Sequence, residues 1–96
     1  MDFNNMEVFN SHQSKSYSPV AVTEDVTAAF TKVINSDGTV VSGRVTKRGK
    51  EAATVNYYGK NDSLVVSVRP LASLDGAELS ALFNAIPGFI NEILSE

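Results

Sequence analysis

The fold is decided between residues 63 and 86, where the sequence is SLVVSVRPLASLDGAELSALFNAI. Before Pro70, every second residue is apolar and lies on one face of an extended strand, namely Leu64, Val66 and Val68. Beyond Pro70 the apolar spacing changes to three and four residues, which is the period of an amphipathic helix. Because proline lacks an amide donor for a sheet, it ends the strand. The stretch therefore predicts a strand over 63–69 and then a helix over about 75–94.

The predicted helix has a recognisable start and one interruption. Ser73 is a candidate N-cap, since its hydroxyl can accept a hydrogen bond from a free amide of the first turn. Asp75 and Glu78 follow at positions where carboxylates favour the positive end of the helix dipole. Pro87-Gly88 lies inside the helix, where proline removes one backbone hydrogen bond and clashes with the preceding turn. We therefore expect a kink or a break there.

Glycine-bearing turns divide the preceding sequence into three further strands. The spacing of residues 20–34 fits a helix as well as a strand, but Asn35-Ser36-Asp37-Gly38 is typical of a tight hairpin and favours a strand. Turns at Gly49 and Gly59 then leave strands at 26–35, 39–47, 51–58 and 63–69. The prediction is an α+β fold, a four-stranded antiparallel β-meander followed by a kinked C-terminal helix.

The composition limits the classes of function. Among 96 residues there is no cysteine, and the single histidine, His12, lies in a polar segment, residues 1–18, that we expect to be a flexible tail before one ββββα domain over 19–96. We therefore predict no catalytic site, no metal, no cofactor and no small-molecule substrate. With no long apolar run or secretory leader, we also expect no membrane association and a cytoplasmic location.

The charge is divided unevenly along the chain. The formal net charge is −3, but residues 32–69 hold seven basic and three acidic side chains, a local charge of +4. The remainder of the chain therefore carries −7. A segregated positive segment is more informative about a partner than the total charge, and it favours nucleic acid. The alternative is a solvated sheet face on which cations happen to cluster.

The alternation of the strands collects polar residues on the face away from the helix. Parity places Arg44, Thr46, Thr54, Asn56, Tyr58, Ser67 and Arg69 there, with no acidic residue among them. Cations can neutralise phosphates, and an aromatic ring can stack on a base. The alternative is the ordinary wet face of an antiparallel sheet, which favours the same residue types. The predicted nucleic-acid-binding residues are Lys32, Arg44, Lys47, Arg48, Lys50, Tyr58, Lys60 and Arg69.

The last strand and the helix resemble the positive-cofactor-four family of transcriptional coactivators and single-strand binders. The resemblance lies in Val65-Val66-Ser67-Val68-Arg69, in the helix entry Leu74-Asp75-Gly76-Ala77-Glu78-Leu79, and in Phe89-Ile90-Asn91-Glu92-Ile93-Leu94. It implies a homodimer built on the helices, with basic channels for single-stranded DNA and a role in transcription, replication or recombination. The implied DNA contacts are Lys47, Arg48 and Lys50 on the hairpin and Arg44, Tyr58 and Arg69 on the sheet.

The apolar stripe of the helix independently favours a dimer, because it is wider than one small sheet face readily covers. The predicted interface consists of Leu82, Phe83, Ile86, Phe89, Ile90 and Ile93. The alternative is a helix that is fully buried in a monomer. The leading hypothesis is a homodimer that binds single-stranded DNA or RNA without strong sequence preference. The second is a small protein-binding module, such as a phage-type inhibitor or adaptor, whose acidic segments meet a basic partner.

Overall fold

The computed structural model describes residues 13–36 and 38–96, which form one antiparallel sheet and one long helix. The strands are β1 (Gln13–Ser16), β2 (Val20–Ala21), β3 (Val26–Asn35), β4 (Gly38–Lys47), β5 (Lys50–Tyr58) and β6 (Ser63–Val68). A 3₁₀ turn (Leu71–Ser73) and helix α1 (Gly76–Leu94) follow. The strand order is β1-β3-β4-β5-β6, and β2 also pairs with β3. The predicted α+β class, an antiparallel sheet followed by a C-terminal helix, is confirmed.

The predicted number of strands is wrong, because β1 and β2 precede the four strands of the meander. Both pair with β3, β1 with its second half and β2 with its first, so together they form one interrupted edge strand. Their side chains show no apolar alternation, and backbone pairing to β3 alone defines them. The predicted flexible tail, residues 1–18, is therefore wrong for residues 13–16, which form β1, and its residues 1–12 lie outside the described residues.

The loop between β4 and β5 is a two-residue turn, Arg48-Gly49. Lys47 and Lys50 pair across it, and φ is 52° at Arg48 and 84° at Gly49. Positive φ at both loop positions matches the right-handed twist of the two strands. Glycine adopts this conformation without steric cost, whereas Arg48 is held in it by a backbone hydrogen bond from its amide to the Asp25 carbonyl, at 3.1 Å.

One face of the sheet, called the inner face below, packs against α1. The strand residues on this face that are at most 4% exposed include Val26, Ala28, Phe30, Val41, Val45, Ala53 and Val55. The helix contributes Leu82, Ile86, Ile90 and Ile93, each at most 6% exposed. The strand parity deduced from the sequence is therefore the parity of the fold, and the opposite face, called the outer face, remains open to solvent.

A glycine under an aromatic ring fixes the middle of the inner face. Gly43 pairs with Phe30 across β3 and β4, and a Cβ atom at Gly43 would lie 2.5 Å from Cε1 of the Phe30 ring. The ring is held on its other side by Phe89 of α1, with 5.6 Å between the ring centroids. Phe30 is therefore packed between Gly43 of the sheet and Phe89 of the helix.

Helix α1 begins at Gly76, and its N-cap lies two residues later than the sequence indicated. The N-cap is Asp75 and not Ser73; the Asp75 carboxylate accepts from the Glu78 amide, and the Glu78 carboxylate accepts from the Asp75 amide. This reciprocal capping box satisfies two otherwise free donors. Ser73 instead donates from its hydroxyl to the Ala52 carbonyl at 3.2 Å, which anchors the connection between β6 and the helix to β5.

The predicted break at Pro87-Gly88 does not occur, because α1 is one continuous helix with Pro87 inside it. The missing amide leaves the carbonyl of Phe83, four residues earlier, without its helical donor. Pro87 and Phe83 both belong to the exposed side of α1, and Phe83 is 50% exposed. Water can therefore take the place of the lost donor, and the buried residues on either side keep the helix packed on the sheet.

We expect Gly43→Ala to lower the free energy of unfolding by about 1–3 kcal/mol, because the added methyl overlaps the Phe30 ring, which also packs against Phe89. Gly88→Ala is the matched control, since a Cβ there meets nothing within 4 Å. Replacing a glycine in a helix interior lowers the backbone entropy of the unfolded chain, so this variant should stabilise the protein by about 0.5–1 kcal/mol. Urea unfolding followed by circular dichroism measures both, and equal stability of the two variants would contradict the packing described.

Candidate nucleic-acid interface

The outer face presents hydroxyl, amide and guanidinium groups in rows that cross the strands. Arg44, Thr54 and Ser67 form one row through the register of β4, β5 and β6. A second row runs from Thr31 through Ser42 and Asn56, and the Ser42 hydroxyl donates to the Asn56 amide oxygen at 3.1 Å. The sequence predicted the β4–β6 part of this arrangement, which is the candidate functional surface.

Two shallow depressions lie in this face, on either side of Thr54. One has a volume of about 600 Å³ and is lined by residues of β1, β3, β4 and β5, among them Ser16, Thr31, Ser42, Arg44 and Asn56. The other, about 590 Å³, is lined by Glu51, Ala53, Thr54, Ser67, Val68 and Arg69. The two depressions share Thr54 and together extend across the outer face from β1 to β6; the pair is called the channel below.

An acidic residue, Glu51, also lies on the outer face, although the alternation of the strands predicted no acidic residue there. The register shifts between Val45 and Thr46, so that Thr46 pairs with Glu51 and Ala52 becomes an extra residue in β5. This bulge turns Ala52 inward, where it is 1% exposed, and brings Glu51 outward. The Glu51 carboxylate forms an ion pair with the Arg44 guanidinium, with 3.2 Å between Oε1 and Nε.

Cations at the β4–β5 hairpin are partly engaged within the chain. The Lys47 ammonium lies 2.9 Å from the Glu78 carboxylate, and the Arg48 guanidinium lies 2.9 Å from Asp25. The hydrogen bond to Asp25 raises the pKa of Arg48. Lys50 and Arg69 are exposed at the same end of the sheet, and neither has an ion pair within the part of the chain that the structure describes.

Tyr58 and Lys60 lie at the opposite end of the sheet from the hairpin. Tyr58 is on the outer face and 40% exposed, four residues along β5 from Thr54, or about 13 Å at the rise of a strand. The neighbouring Tyr57 is on the inner side, where its hydroxyl donates to Asp62 at 2.8 Å, and this hydrogen bond raises the pKa of Tyr57. The register identifies Tyr58 as the outward aromatic ring.

Lys32 does not join the other predicted cations. It alternates onto the inner face with Phe30, is 8% exposed, and its ammonium donates to the Ile93 carbonyl at 3.1 Å. Lys32 gives a charged donor to a carbonyl at the end of α1 whose other donor is the Glu96 amide, at 3.4 Å, and its charge suits the negative end of the helix dipole. Lys32 therefore has a structural role, and its prediction as a nucleic-acid contact is corrected. Strand parity alone separates it from the outward cations.

The predicted dimer interface on the helix is also largely internal. Leu82, Ile86, Ile90 and Ile93 are between 0% and 6% exposed because they pack on the inner face of their own chain. Phe89 is half-buried against Phe30. Phe83, at 50% exposure, is the only fully outward member of the predicted set. One sheet face covers most of the stripe that had indicated a second copy.

Two residues of the candidate surface were absent from the prediction. Thr31 is on the outer face of β3 and could have been found from the same parity that places Phe30 inward. Ser16 reaches the surface because β1 pairs with β3, and its hydroxyl lies 3.4 Å from that of Thr31. The polar sequence around Ser16 carries no periodic signal from which this position could have been deduced.

We expect Lys32→Ala to lower the free energy of unfolding by about 1–3 kcal/mol, because it leaves a helix carbonyl without its charged donor. Lys60→Ala is the matched control, since Lys60 is exposed in a turn, and its effect should stay within about 0.5 kcal/mol. Urea unfolding midpoints compare the two. An unchanged midpoint for Lys32→Ala would contradict the capping role.

Among the described residues, no helix is both long and apolar enough to cross a membrane. Within the same residues, no cluster of three potential metal-ligating side chains is found. Comparisons of the chain with protein-family models, with curated proteins and with solved structures gave no match. The resemblance to the positive-cofactor-four family therefore stays a prediction.

Proposed function

We propose that the protein binds single-stranded nucleic acid across the outer face of its sheet and acts by binding and not by catalysis. The observation that carries the proposal is the channel on either side of Thr54, with Arg44 and Arg69 among its lining residues. A guanidinium group suits phosphate because it offers several donors in one plane. Hydroxyl and amide groups between the two arginines can donate to phosphate and sugar oxygens.

The internal ion pairs of the surface do not prevent such binding. Arg44 and Glu51 have side chains that are 71% and 54% exposed, and Arg48 is 73% exposed beside Asp25. Exposed ion pairs contribute only about 0–1 kcal/mol, so a phosphate can replace the carboxylate at little cost. Arg69, which has no ion pair among the described residues, offers charge on the outer face that is already available, whereas Lys50 pairs with Lys47 and shares its side of the sheet.

The mode of binding is mainly through the phosphate backbone. Tyr58 is the one aromatic ring on the outer face of β3–β6, and it lies about 13 Å along β5 from Thr54. Stacking therefore adds to the interaction at one end of the sheet, while the channel contacts phosphates and sugars. Such contacts position a strand without reading its sequence, which supports binding with little sequence preference.

We expect a labelled oligothymidine to bind at low salt and to lose affinity as salt rises, with a logarithmic slope of about −0.7 per neutralised phosphate. Fluorescence anisotropy measures it, with an oligouridine of equal length to compare DNA with RNA. The double variant Arg44→Ala/Arg69→Ala should weaken binding at least about tenfold, since each charged hydrogen bond contributes about 1.5–3 kcal/mol. Lys15→Ala is the control, because Lys15 lies opposite Lys32 in the register of β1 and β3 and therefore on the inner side of the sheet, away from the candidate surface.

A gain of affinity gives an opposite test of the same surface. Glu51→Gln keeps a side chain of similar shape but removes the negative charge beside Arg44, so oligothymidine binding should tighten about two- to fivefold, as expected for a lost surface ion pair. Unchanged or weaker binding by this variant would contradict the placement of the phosphates. Failure of both oligonucleotides to bind at low salt would overturn the proposal and favour a protein partner for the outer face.

A further inference from the structure

The open edge of β6 lacks the features that normally keep a sheet edge from pairing. Within residues 13–36 and 38–96, β6 pairs with β5 on one side only; its sequence, SLVVSV, contains no charge and no proline, and its pairing with β5 has no register shift. Natural proteins usually protect an edge with such features or cover it with another element. The opposite edge is protected, because it consists of two short strands, β1 and β2, separated by Pro19.

The backbone groups of β6 alternate between β5 and the open side. The Arg69 amide donates to the Ala52 carbonyl of β5 at 3.1 Å. Since successive residues of an antiparallel strand point their amides in opposite directions, the amides of Leu64, Val66 and Val68 point away from the sheet. Three donors in a row thus lie at the open edge.

The side chains beside this edge are unusually apolar for a solvated strand. Leu64 is 43% exposed on the inner side, and Val65 is 46% exposed on the outer side. Phe83, 50% exposed, lies about 120° around α1 from Phe89, which contacts Phe30 of β3. Phe83 therefore lies on the flank of the helix nearer β6, and both sides of the edge carry apolar surface.

We infer that the β6 edge binds a second copy of this chain, through antiparallel pairing of β6 with its own copy. A two-fold axis normal to the sheet makes the two strands antiparallel and keeps both helices on one side, so the Phe83 flanks face each other across the joint. Paired residues share a face, and with Val65 at the axis Leu64 lies opposite Val66 of the other copy. The uncharged strand brings no like charges together.

The residues that flank β6 favour this occupant. Asp62 comes immediately before the strand and Arg69 immediately after it. In an antiparallel pair each end that carries Asp62 lies beside the end that carries Arg69 in the other copy, so opposite charges meet at both ends. Parallel pairing would bring like charges together. The antiparallel dimer is also closed, since it uses both open edges, and it joins the two outer faces into one surface.

Light scattering coupled to size exclusion, over a range of concentrations, tests the inference on the full chain. Wild type should be a dimer that dissociates on dilution, and Val65→Lys, which places two like charges at the axis, should be a monomer. Ala29→Lys is the control, because Ala29 is equally exposed on the outer face of β3, and it should remain a dimer. A monomeric wild type, a dimeric Val65→Lys or growth beyond a dimer would overturn the inference.

Two further measurements locate the joint. Asp62→Arg and Arg69→Asp should each weaken the dimer severalfold, and the double variant should restore it. Hydrogen exchange should be slowed at the amides of Leu64, Val66 and Val68 in wild type but not in Val65→Lys. A dimer in which these three amides exchange freely would place the interface elsewhere and overturn the inference, whatever the outcome of the nucleic-acid binding experiments.

Discussion

Helix α1 is fixed to the sheet at both ends by lysines that the strands supply. At its start, the Lys47 ammonium lies 2.9 Å from Glu78, the residue that completes the capping box. At its end, Lys32 donates to the Ile93 carbonyl. Both lysines are partly or fully withdrawn from solvent, where charged hydrogen bonds are stronger than at the surface. These contacts set the direction of the helix across the inner face, and its apolar residues fill the space between.

This arrangement separates two uses of the same residue type. Positive side chains that alternate inward, or that reach the first turn of α1, stabilise the fold, whereas those that alternate outward remain on the candidate surface. Lys32 and Arg44 lie on neighbouring strands of the same sheet and have opposite environments for this reason alone. A count of basic residues therefore overstates the charge that a ligand would meet, and the side of the sheet decides which of them contribute.

The sequence was most informative where the structure is determined locally. Glycine-bearing turns and two-residue alternation predicted each end of β3–β6 to within one residue, and the change of period at Pro70 predicted α1. What it missed depends on partners that are distant along the chain. β1 and β2 exist because β3 offers an edge, and the bulge at Ala52 is visible only in the pairing of β4 with β5. The break predicted at Pro87 is absent, since α1 continues through it, whereas the kink predicted as its alternative stays a prediction.

The bulge at Ala52 has a consequence for how the hairpin tolerates its charges. With regular alternation from Thr54, Ala52 would point outward and Glu51 would point into the apolar layer beneath α1. A carboxylate there would lose its hydration with no guanidinium in reach, a situation that folded proteins avoid. One additional residue reverses the alternation toward the hairpin, so Glu51 can follow the basic residues of the turn without entering the core. The number of residues in this strand, and not only their types, is therefore constrained by the fold.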